Sequence, residues 1–376
     1  MLKRILTSAV VLTTSLITSV NVQAELNPAF INDTYTARFL WQAENQSLEN
    51  NTFSCPELVA PKHVFETVSI YKDTDCRCEV DPVKKAAYDA ENAYIKDYIS
   101  TIVGLADTYV ATPSERGEIA QCMMQHVEHW AANDAMLGDH VQNVGYHKTA
   151  ELIGTIATSY LKVRNSPDIV KIDANSVVGS WLKRASDHVL YFYDNIAGST
   201  TKKNNHRYWD GYHLGRVAIA IQDESLFSWA VEGLSIGLDE VDANGVLPEE
   251  FARGDRAFSY HLYATLPLVG LAELAIANRE YMPVEFYPYE YNNGALHTLL
   301  KLMRDVSNGN VVGVFPEERE MKCHEAAWLE AYLERAKVAD KAAIKADVIN
   351  FRNNCNGKLF NTFLGGNVSL TYGSPM

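Results

Sequence analysis

The sequence is short of positive charge. It has 33 lysines and arginines against 47 aspartates and glutamates, which gives a formal net charge of −14. This excess of acid argues against nucleic acid or an anionic membrane as a partner, because both would repel the protein surface. The sequence also lacks a GxSxG motif, a P-loop and a dinucleotide fingerprint, so serine-based covalent catalysis and nucleotide use have no support.

Sequences that would divide the chain are also missing. Its 376 residues contain no Pro/Gly/Ser-rich linker, and no stretch beyond the N-terminus reaches about 18 apolar residues. Residues 1–24 combine two basic residues, an apolar run and a small-residue site, which predicts a secretory signal peptide cleaved after Ala24. We therefore expect a periplasmic or secreted monomer in which residues 25–376 form a single domain.

Strand-type alternation is nearly absent, whereas apolar residues recur at intervals of three and four. Ile119, Met123, Val127 and Trp130 follow this spacing, which places them on one face of a helix. Composition and periodicity together predict a large all-α domain. The candidate helices cover about 33–49, 82–109, 114–133, 147–163, 176–196, 206–221, 224–240, 256–278, 290–304, 318–337 and 341–351.

The chain has six cysteines, at positions 55, 76, 78, 122, 323 and 355. In an exported chain they favour disulfides over metal or redox chemistry, although their spacing does not determine the pairing. His126 and His129 stand three apart on a predicted helix and offer only two metal ligands, which do not complete a site. We therefore expect no metal ion and no organic cofactor.

The stretch from Asn204 to Tyr263 concentrates side chains that suit an anionic sugar. Its two ends carry the candidate site residues: Asn205, His206, Arg207 and Trp209 at one end, and Arg253, Arg256, Tyr260 and His261 at the other. Lys202 and Lys203 precede it, and residues 202–216 contain four basic residues against one acidic residue. We interpret this as a basic groove on an acidic body; the alternative is a solvated charge run.

Helical spacing allows the two ends of this stretch to meet. His206 lies eleven residues, or about three turns, before Val217, so it stands at the end of a helix with an apolar face. Asp255 is the predicted N-cap of a later helix, with Arg253 in the loop before it and Tyr260 about one turn inside it.

Three motifs in this stretch carry a family resemblance: NNH-x-YW, then D-x-NG-x-LP-x-E, then R-x-x-R-A-x-x-YH. Their order and spacing resemble the alginate lyases of polysaccharide lyase family 5, which cleave poly-β-D-mannuronate. The resemblance implies an incomplete (α/α)6 toroid of paired antiparallel helices with a central substrate groove. It also implies cleavage of an acidic polysaccharide by β-elimination, which leaves a 4,5-unsaturated uronate at the new non-reducing end.

The resemblance implies a role for each central residue. Asn205 and Arg253 would neutralise the substrate carboxylate and stabilise the enolate that forms when the C5 proton leaves. Tyr260 would take that proton and protonate O4, which lie on the same face of mannuronate, and His206 would share the base role. We expect Arg253 and His206 to lower the pKa of Tyr260 from its ordinary value of about 10.

The resemblance also implies a lid and a disulfide. Residues 65–80 lack helical periodicity, and their family counterpart is a loop over the groove whose tyrosine, here Tyr71, contacts substrate. Together with Tyr71, we predict Arg207, Trp209, Lys202, Lys203, Arg256 and His261 as substrate contacts. The family has cysteines at the places of Cys55 and Cys122, so these two should pair, which makes Cys323 with Cys355 a natural second bridge.

Several alternatives stay open at this point. Acidic residues near the turn at 239–250, Glu249 and Glu250 among them, would serve as the two carboxylates of an inverting glycoside hydrolase. Aromatic residues such as Tyr208, Tyr212 and Tyr263 would line a groove that only binds glycan. The segment 140–148 departs from the family pattern, which leaves polyglucuronate or mixed alginate as alternative substrates of a lyase.

Overall fold

The structure is a computed structural model that describes residues 25–30, 53–66, 68–73, 79–112 and 115–373. The predicted signal peptide, the predicted helix at 33–49 and the residues Cys76 and Cys78 lie outside the described residues.

The described chain is almost entirely helical. The α-helices are α1 (Pro82–Ala111), α2 (Arg116–Ala132), α3 (Asn143–Val163), α4 (Val177–Asn195), α5 (Asn205–Ile221), α6 (Glu224–Glu240), α7 (Pro248–Phe251), α8 (Ala257–Ala277), α9 (Tyr291–Ser307), α10 (Trp328–Arg335), α11 (Val338–Asn354) and α12 (Val368–Thr371). Short 3-10 turns occupy Gly254–Arg256, Arg279–Tyr281 and Thr362–Leu364. The strands β1 (Phe360–Asn361) and β2 (Gly366–Asn367) pair antiparallel, with Phe360 opposite Asn367.

The long helices of the described chain pair into hairpins that follow one another around the molecule. α1, α3, α5, α8 and α10 each pack against the next helix of that series, while α2, α4, α6, α9 and α11 each pack on their hairpin partner. Such a series of paired helices forms an incomplete (α/α)6 toroid, as expected. The predicted helix at 318–337 is largely wrong, because only Trp328–Arg335 is α-helical. Before it, the carboxylate of Glu318 accepts backbone N–H groups from residues 313–315 and holds a loop.

Helix α5 is the middle member of the series α1, α3, α5, α8 and α10. Asn204 caps its N-terminus by accepting from the backbone N–H of His206 at 3.1 Å. Every residue of α5 except His206 is buried, because α3, α6 and α8 all pack around it. The helix therefore has no solvent-facing stripe, and its first turn is the part that presents a half-buried side chain to a groove.

The turn that follows α6 leads the chain back to the start of α5. Asp242 Oδ1 accepts from the backbone N–H groups of Asn244 and Val246, both at 2.8 Å. Gly245 has φ +86°, and a Cβ there would lie 2.8 Å from the carbonyl oxygen of Thr298, so only glycine fits. The D-x-NG motif is thus a tight turn that delivers α7 to its place beside α5.

Helix α8 begins within one residue of the expected position, but the segment before it differs from the expectation. Residues 254–256 form a 3-10 turn and the α-helix begins at Ala257, so Asp255 lies inside the turn and is not the N-cap. Among the described residues, the segment Gly254–Ala277 alone is long and apolar enough to cross a membrane, but 78% of its most apolar window is buried in the molecule. It serves here as a core helix.

Two disulfides join the described residues. Cys55 pairs with Cys122 across 67 positions and ties the N-terminal arm to α2, and Cys323 pairs with Cys355. Both expected pairings are confirmed. The chain-entropy model assigns a crosslink of the longer kind about 4 kcal/mol of stabilisation. Trp130 strengthens the same attachment, since its indole N–H donates to the carbonyl of Val59 at 2.9 Å.

Candidate active site

Asn205 stands at the first position of α5 and is held by a buried glutamate. Its backbone N–H donates to Glu250 Oε1 at 2.7 Å, and its side-chain amide lies 2.9 Å from both Oε1 and Oε2. Asn205 is 1% exposed and Glu250 is fully buried. The amide oxygen of Asn205 is left without a protein partner. Glu250 therefore fixes the orientation of the residue expected to neutralise the substrate carboxylate.

The sequence suggested Glu250 only as a possible carboxylate of a hydrolase and did not predict its contact with Asn205. Burial raises the pKa of its carboxyl group, while the hydrogen bonds from Asn205 and the charge of Arg253 oppose that rise. Because it is enclosed and already accepts from Asn205, Glu250 does not fit the water-facing carboxylate pair of a hydrolase. The available signal was its place as the final residue of D-x-NG-x-LP-x-E.

Tyr260 lies in the first turn of α8 among two arginines. The guanidinium carbon of Arg253 is 4.2 Å from the centre of its ring, and that of Arg256 is 5.4 Å away. The hydroxyl of Tyr260 makes a short hydrogen bond with the hydroxyl of Tyr71. Arg256 Nη1 donates to the same Tyr71 oxygen at 2.9 Å. The tertiary structure thus brings Arg253, Arg256, Tyr260 and Tyr71 together.

Tyr71 reaches this position because its loop is closed at the base by a short ladder. Tyr71 pairs with Val80 in an antiparallel bridge, and Lys72 donates its backbone N–H to the carbonyl of Glu79 at 2.9 Å. Lys84 Nζ, on α1, lies 3.3 Å from the carbonyl oxygen of Tyr71. The predicted lid loop therefore points its tyrosine at Tyr260.

The pKa of Tyr260 differs from the expectation. Burial raises it above the ordinary value, and the hydrogen-bonded Tyr71 adds to that rise. The charges of Arg253 and Arg256 oppose it but do not outweigh burial. The expected lowering is thus wrong for the unliganded site, and the second opposing cation is Arg256 in place of His206. In this state Tyr260 holds its proton and is ready to donate it.

His206 lies in a different environment, beside a second histidine. Its ring stacks on the ring of His147, with centroids 4.0 Å apart and planes inclined by 19°. His147 Nδ1 is 2.6 Å from Asp210 Oδ2, which also accepts from the hydroxyl of Tyr193 at 2.8 Å. Sequence reasoning selected His206 but not His147 or Asp210. The one signal for His147 was its place in the segment 140–148.

Three predicted substrate contacts are buried, which contradicts their expected place in the groove. Arg207 is 3% exposed, with its guanidinium 3.6 Å from the ring centre of Trp229 and a 2.6 Å hydrogen bond to that residue's carbonyl. Trp209 is 4% exposed and packs against Tyr263. His261 is fully buried, where Nε2 accepts from Leu247 N–H at 2.9 Å. All three side chains project into the helix packing and not into the groove.

The expected basic groove takes a different form. Lys202 and Lys203 are exposed in the turn before α5, and Lys203 pairs with Glu240 at 3.0 Å. Arg207 and Arg216, however, are buried, so two of the four basic residues in this segment belong to the helix packing and do not face the groove. The cations at Tyr260 come from the 253–256 segment instead. Tyr208 and Tyr212, considered for a binding-only groove, are 1% and 0% exposed and belong to the core.

Among the described residues, one group has the proximity that a metal site requires: Cys55, Cys122 and His126. The two cysteines form a disulfide, so no thiolate is available there as a ligand. This group lies where the N-terminal arm joins α2, with Cys55 on the arm and Cys122 and His126 in the helix, and it shares no residue with the Tyr260 and His206 clusters.

The comparisons with known proteins agree with this geometry. The family model for alginate lyases matches residues 77–310, a range that contains Asn205, His206, Arg253 and Tyr260. An alginate lyase from Cobetia marina is 30% identical over 270 residues, which cover 68% of this chain and 67% of that protein. One from Pseudomonas syringae pv. syringae is 28% identical over 304 residues, or 77% of each chain.

The fold has a solved counterpart. A histidine-to-alanine variant of alginate lyase A1-III, complexed with tetrasaccharide, aligns with a TM-score of 0.73 over 94% of this chain and 98% of its own. The sequence identity is 20%, so this likeness concerns the fold alone. Together with the family match over residues 77–310, these findings show that the chain is an α/α-toroid protein that belongs to the alginate lyase family.

Proposed function

We propose that this protein is a polysaccharide lyase that cleaves alginate by β-elimination and prefers poly-β-D-mannuronate. The observation that carries the proposal is the position of the Tyr260 ring beside Arg253 and Arg256, with its hydroxyl bonded to that of Tyr71. Support comes from the family membership of the chain and from relatives that are named alginate lyases. β-Elimination requires three catalytic functions from the protein: neutralisation of a carboxylate, removal of a proton and protonation of a leaving group.

Arg253 and Asn205 are suited to the carboxylate. The C5 proton of a uronate becomes acidic enough to remove only when the neighbouring carboxylate is neutralised, because its electrons then move into an enolate. Arg253 supplies a full positive charge at a fixed position, which costs no reorganisation when the charge develops. The Asn205 amide nitrogen donates to Glu250 in the unliganded site, so it would have to turn toward the substrate carboxylate to donate to it.

Tyr260 is suited to both proton transfers on mannuronate. Its phenolate form takes the C5 proton, and the resulting hydroxyl returns a proton to O4 on the same face of the ring. Arg253 and Arg256 stabilise the phenolate against the effect of burial, and each pKa unit they contribute is equivalent to about 1.4 kcal/mol. Bound sugar would replace Tyr71 as the hydrogen-bond partner of Tyr260 and leave Tyr71 to contact substrate from the lid.

The segment 140–148 is suited to setting the substrate preference. Near its start, His140 Nδ1 accepts from the backbone N–H of Phe65, and Gln142 Oε1 accepts from that of Ser69, both at 3.2 Å. Near its end, His147 stacks on His206. One segment therefore contacts the base of the lid and the second proton-transfer group, which is where mannuronate and other uronates would be distinguished.

We also propose that the protein works in the periplasm or outside the cell without a metal or organic cofactor. The support is the predicted signal peptide ending at Ala24 and the two disulfides of the described chain. A cell-fractionation experiment followed by N-terminal sequencing tests this location. We expect a mature chain that begins at Glu25, and a cytoplasmic protein with residues 1–24 retained would contradict it.

The activity is tested by incubating the purified protein with polymannuronate and a chelator while recording ultraviolet absorbance. β-Elimination creates a conjugated double bond, so absorbance should rise as new chain ends appear. New reducing ends without the chromophore would indicate a hydrolase, and binding without new ends a binding protein. A panel of polymannuronate, polyguluronate, mixed alginate and polyglucuronate then ranks the substrates, with polymannuronate expected first.

A further inference from the structure

His147 is enclosed where three helices meet. It projects from α3, and its ring contacts Asp210 and His206 on α5 and Phe192 and Tyr193 on α4. The ring of Phe192 meets it edge-on at 5.2 Å and 87°. The side chain is 13% exposed. A ring held on this many sides has little freedom to turn.

Asp210 sets the tautomer and the angle of this ring. A carboxylate oxygen only accepts, so the 2.6 Å contact requires the hydrogen on His147 Nδ1. Asp210 is 2% exposed and is itself held by the hydroxyl of Tyr193 at 2.8 Å. Burial raises the pKa of Tyr193 well above its ordinary value, so its hydroxyl remains a donor. The acceptor behind His147 is therefore fixed in place.

The spacing on α5 connects Asp210 to His206 through His147. Residues four apart on a helix lie on the same side, as Asp210 and His206 do. His147 spans both, donating to one and stacking on the other with ring centroids 4.0 Å apart. That separation is below the 4.5–7 Å typical of aromatic pairs, so the two imidazoles are in close face contact. A change in the position of His147 must change that of His206.

We propose that His147 is a positioning residue for His206, and that Asp210 acts through it. The inference rests on the proposed lyase function, because it takes His206 as a proton-transfer group in the groove. The ring of His147 holds the His206 imidazole at the angle from which it meets the substrate. Misplacement of a reacting group by about 1 Å can cost about 100-fold in rate, so such support has a measurable effect.

The kinetic test compares His147→Ala with His147→Phe. Alanine removes the stack and the hydrogen bond, and we expect kcat to fall about 10- to 100-fold while KM changes less than about threefold. Phenylalanine restores a flat ring against His206 but not the hydrogen bond to Asp210, so it should recover part of the lost kcat. Equal losses in the two variants, or an unchanged kcat in His147→Ala, would overturn the positioning role.

A matched control removes an equally short hydrogen bond from another histidine. His297 Nδ1 lies 2.6 Å from the hydroxyl of Tyr332, in the α9–α10 region, where none of the catalytic candidates is located. His297→Phe should keep wild-type kcat. Asp210→Leu, which keeps the approximate size and removes the acceptor, covers the case of an unfolded alanine variant: a lower kcat at constant KM supports the proposal, and an unchanged kcat overturns it.

A spectroscopic measurement separates this inference from the proposed function. In wild-type protein the His206 ring protons lie against the face of His147, so their NMR signals should shift in His147→Ala and move back in His147→Phe. Unchanged His206 signals in folded His147→Ala would overturn the inference whatever the activity. If wild-type protein formed no unsaturated product, the proposed function would fail, while the NMR shifts would still decide whether His147 positions His206.

Discussion

The two residues proposed for proton transfer, Tyr260 and His206, lie in opposite electrostatic environments. Tyr260 is surrounded by cations, with Arg253 and Arg256 within 5.4 Å of its ring centre. His206 stacks on another imidazole, His147, which is bonded to the carboxylate of Asp210. Nearby cations stabilise a phenolate, and a nearby negative charge such as that of Asp210 stabilises a protonated imidazole. Each region thus supports the charge that its own residue acquires in catalysis.

From this difference we expect Tyr260 and His206 to contribute unequally to the cleavage of different substrates. On mannuronate the C5 proton and O4 share one face, so one residue performs both transfers. On guluronate the C5 proton lies on the opposite face and requires a separate base. We therefore expect Tyr260 to protonate O4 in every substrate. His206 should matter most for guluronate, which needs a second base.

The largest effect is expected from Tyr260→Phe, which removes the hydroxyl and keeps the ring. Turnover of polymannuronate should fall about 1,000-fold or more, because both proton transfers are lost. Binding should be largely retained. The measurement is the ultraviolet rate with a variant whose fold is verified by circular dichroism.

The control for this variant is Tyr98→Phe, which removes another buried tyrosine hydroxyl. Tyr98 donates to the carbonyl of His126 at 3.2 Å, between α1 and α2 and away from the arginines. It should keep full activity. Near wild-type turnover by Tyr260→Phe would remove the basis for assigning Tyr260 as the acid and base.

Loss of charge stabilisation comes next. Arg253→Ala and Asn205→Ala should each raise the activation free energy by about 3 kcal/mol, equivalent to about 100-fold in kcat, as for other fixed donors to a developing oxyanion. Arg279→Ala is a control, because Arg279 also stacks on a tyrosine, at 4.5 Å from the Tyr287 ring centre, outside the groove. If Arg253→Ala and Arg279→Ala behaved alike, Arg253 would have no special role.

A smaller but more diagnostic effect is expected from His206→Ala. Activity should fall on every substrate, yet the loss should be about tenfold larger on guluronate-containing polymer than on polymannuronate, because only the former needs a base on the opposite face. The measurement is the ratio of kcat/KM on the two block types. An unchanged ratio would show that the two regions do not divide the substrates between them.

The smallest effect concerns the stability of the fold at acidic pH. One buried histidine near Tyr260 and another near His206 should contribute to it. Burial lowers the pKa of His261, next to Tyr260, to about 4 and that of His213, two turns after His206, to about 3. Unfolded histidine has a pKa near 6.5, so the unfolded chain binds more protons below pH 6.5 and stability falls as the pH falls toward the folded values. Each histidine should remove about 1 kcal/mol of the free energy of unfolding between pH 7 and 5.5.

Denaturant unfolding at the two pH values measures this loss. His213→Phe and His261→Phe should each reduce the difference in the free energy of unfolding between pH 7 and pH 5.5 by about 1 kcal/mol, the contribution of one histidine. A pH dependence unchanged in both variants would show that these imidazoles are not the groups that titrate on unfolding.

Much of the architecture and part of the site could be predicted from the sequence. Apolar spacing of three and four identified most helices, since each packs one stripe on a neighbour. The ordered motifs placed Asn205, His206, Arg253 and Tyr260 in one family pattern, and the D-x-NG turn was recognisable because Gly245 must adopt φ +86°. These features depend on short-range rules, which a linear sequence contains.

The remaining features depend on which helices meet. Periodicity cannot separate the groove side of α5 from its core sides when every residue except His206 is buried, so Arg207 and Trp209 were wrongly assigned to substrate. Glu250 lies 45 positions from Asn205, and His147 lies 63 positions from Asp210. No local pattern links such residues. Only the packing of α3, α5 and α7 places a buried carboxylate behind Asn205 and a second imidazole against His206, because burial and partner choice are properties of the assembled helices.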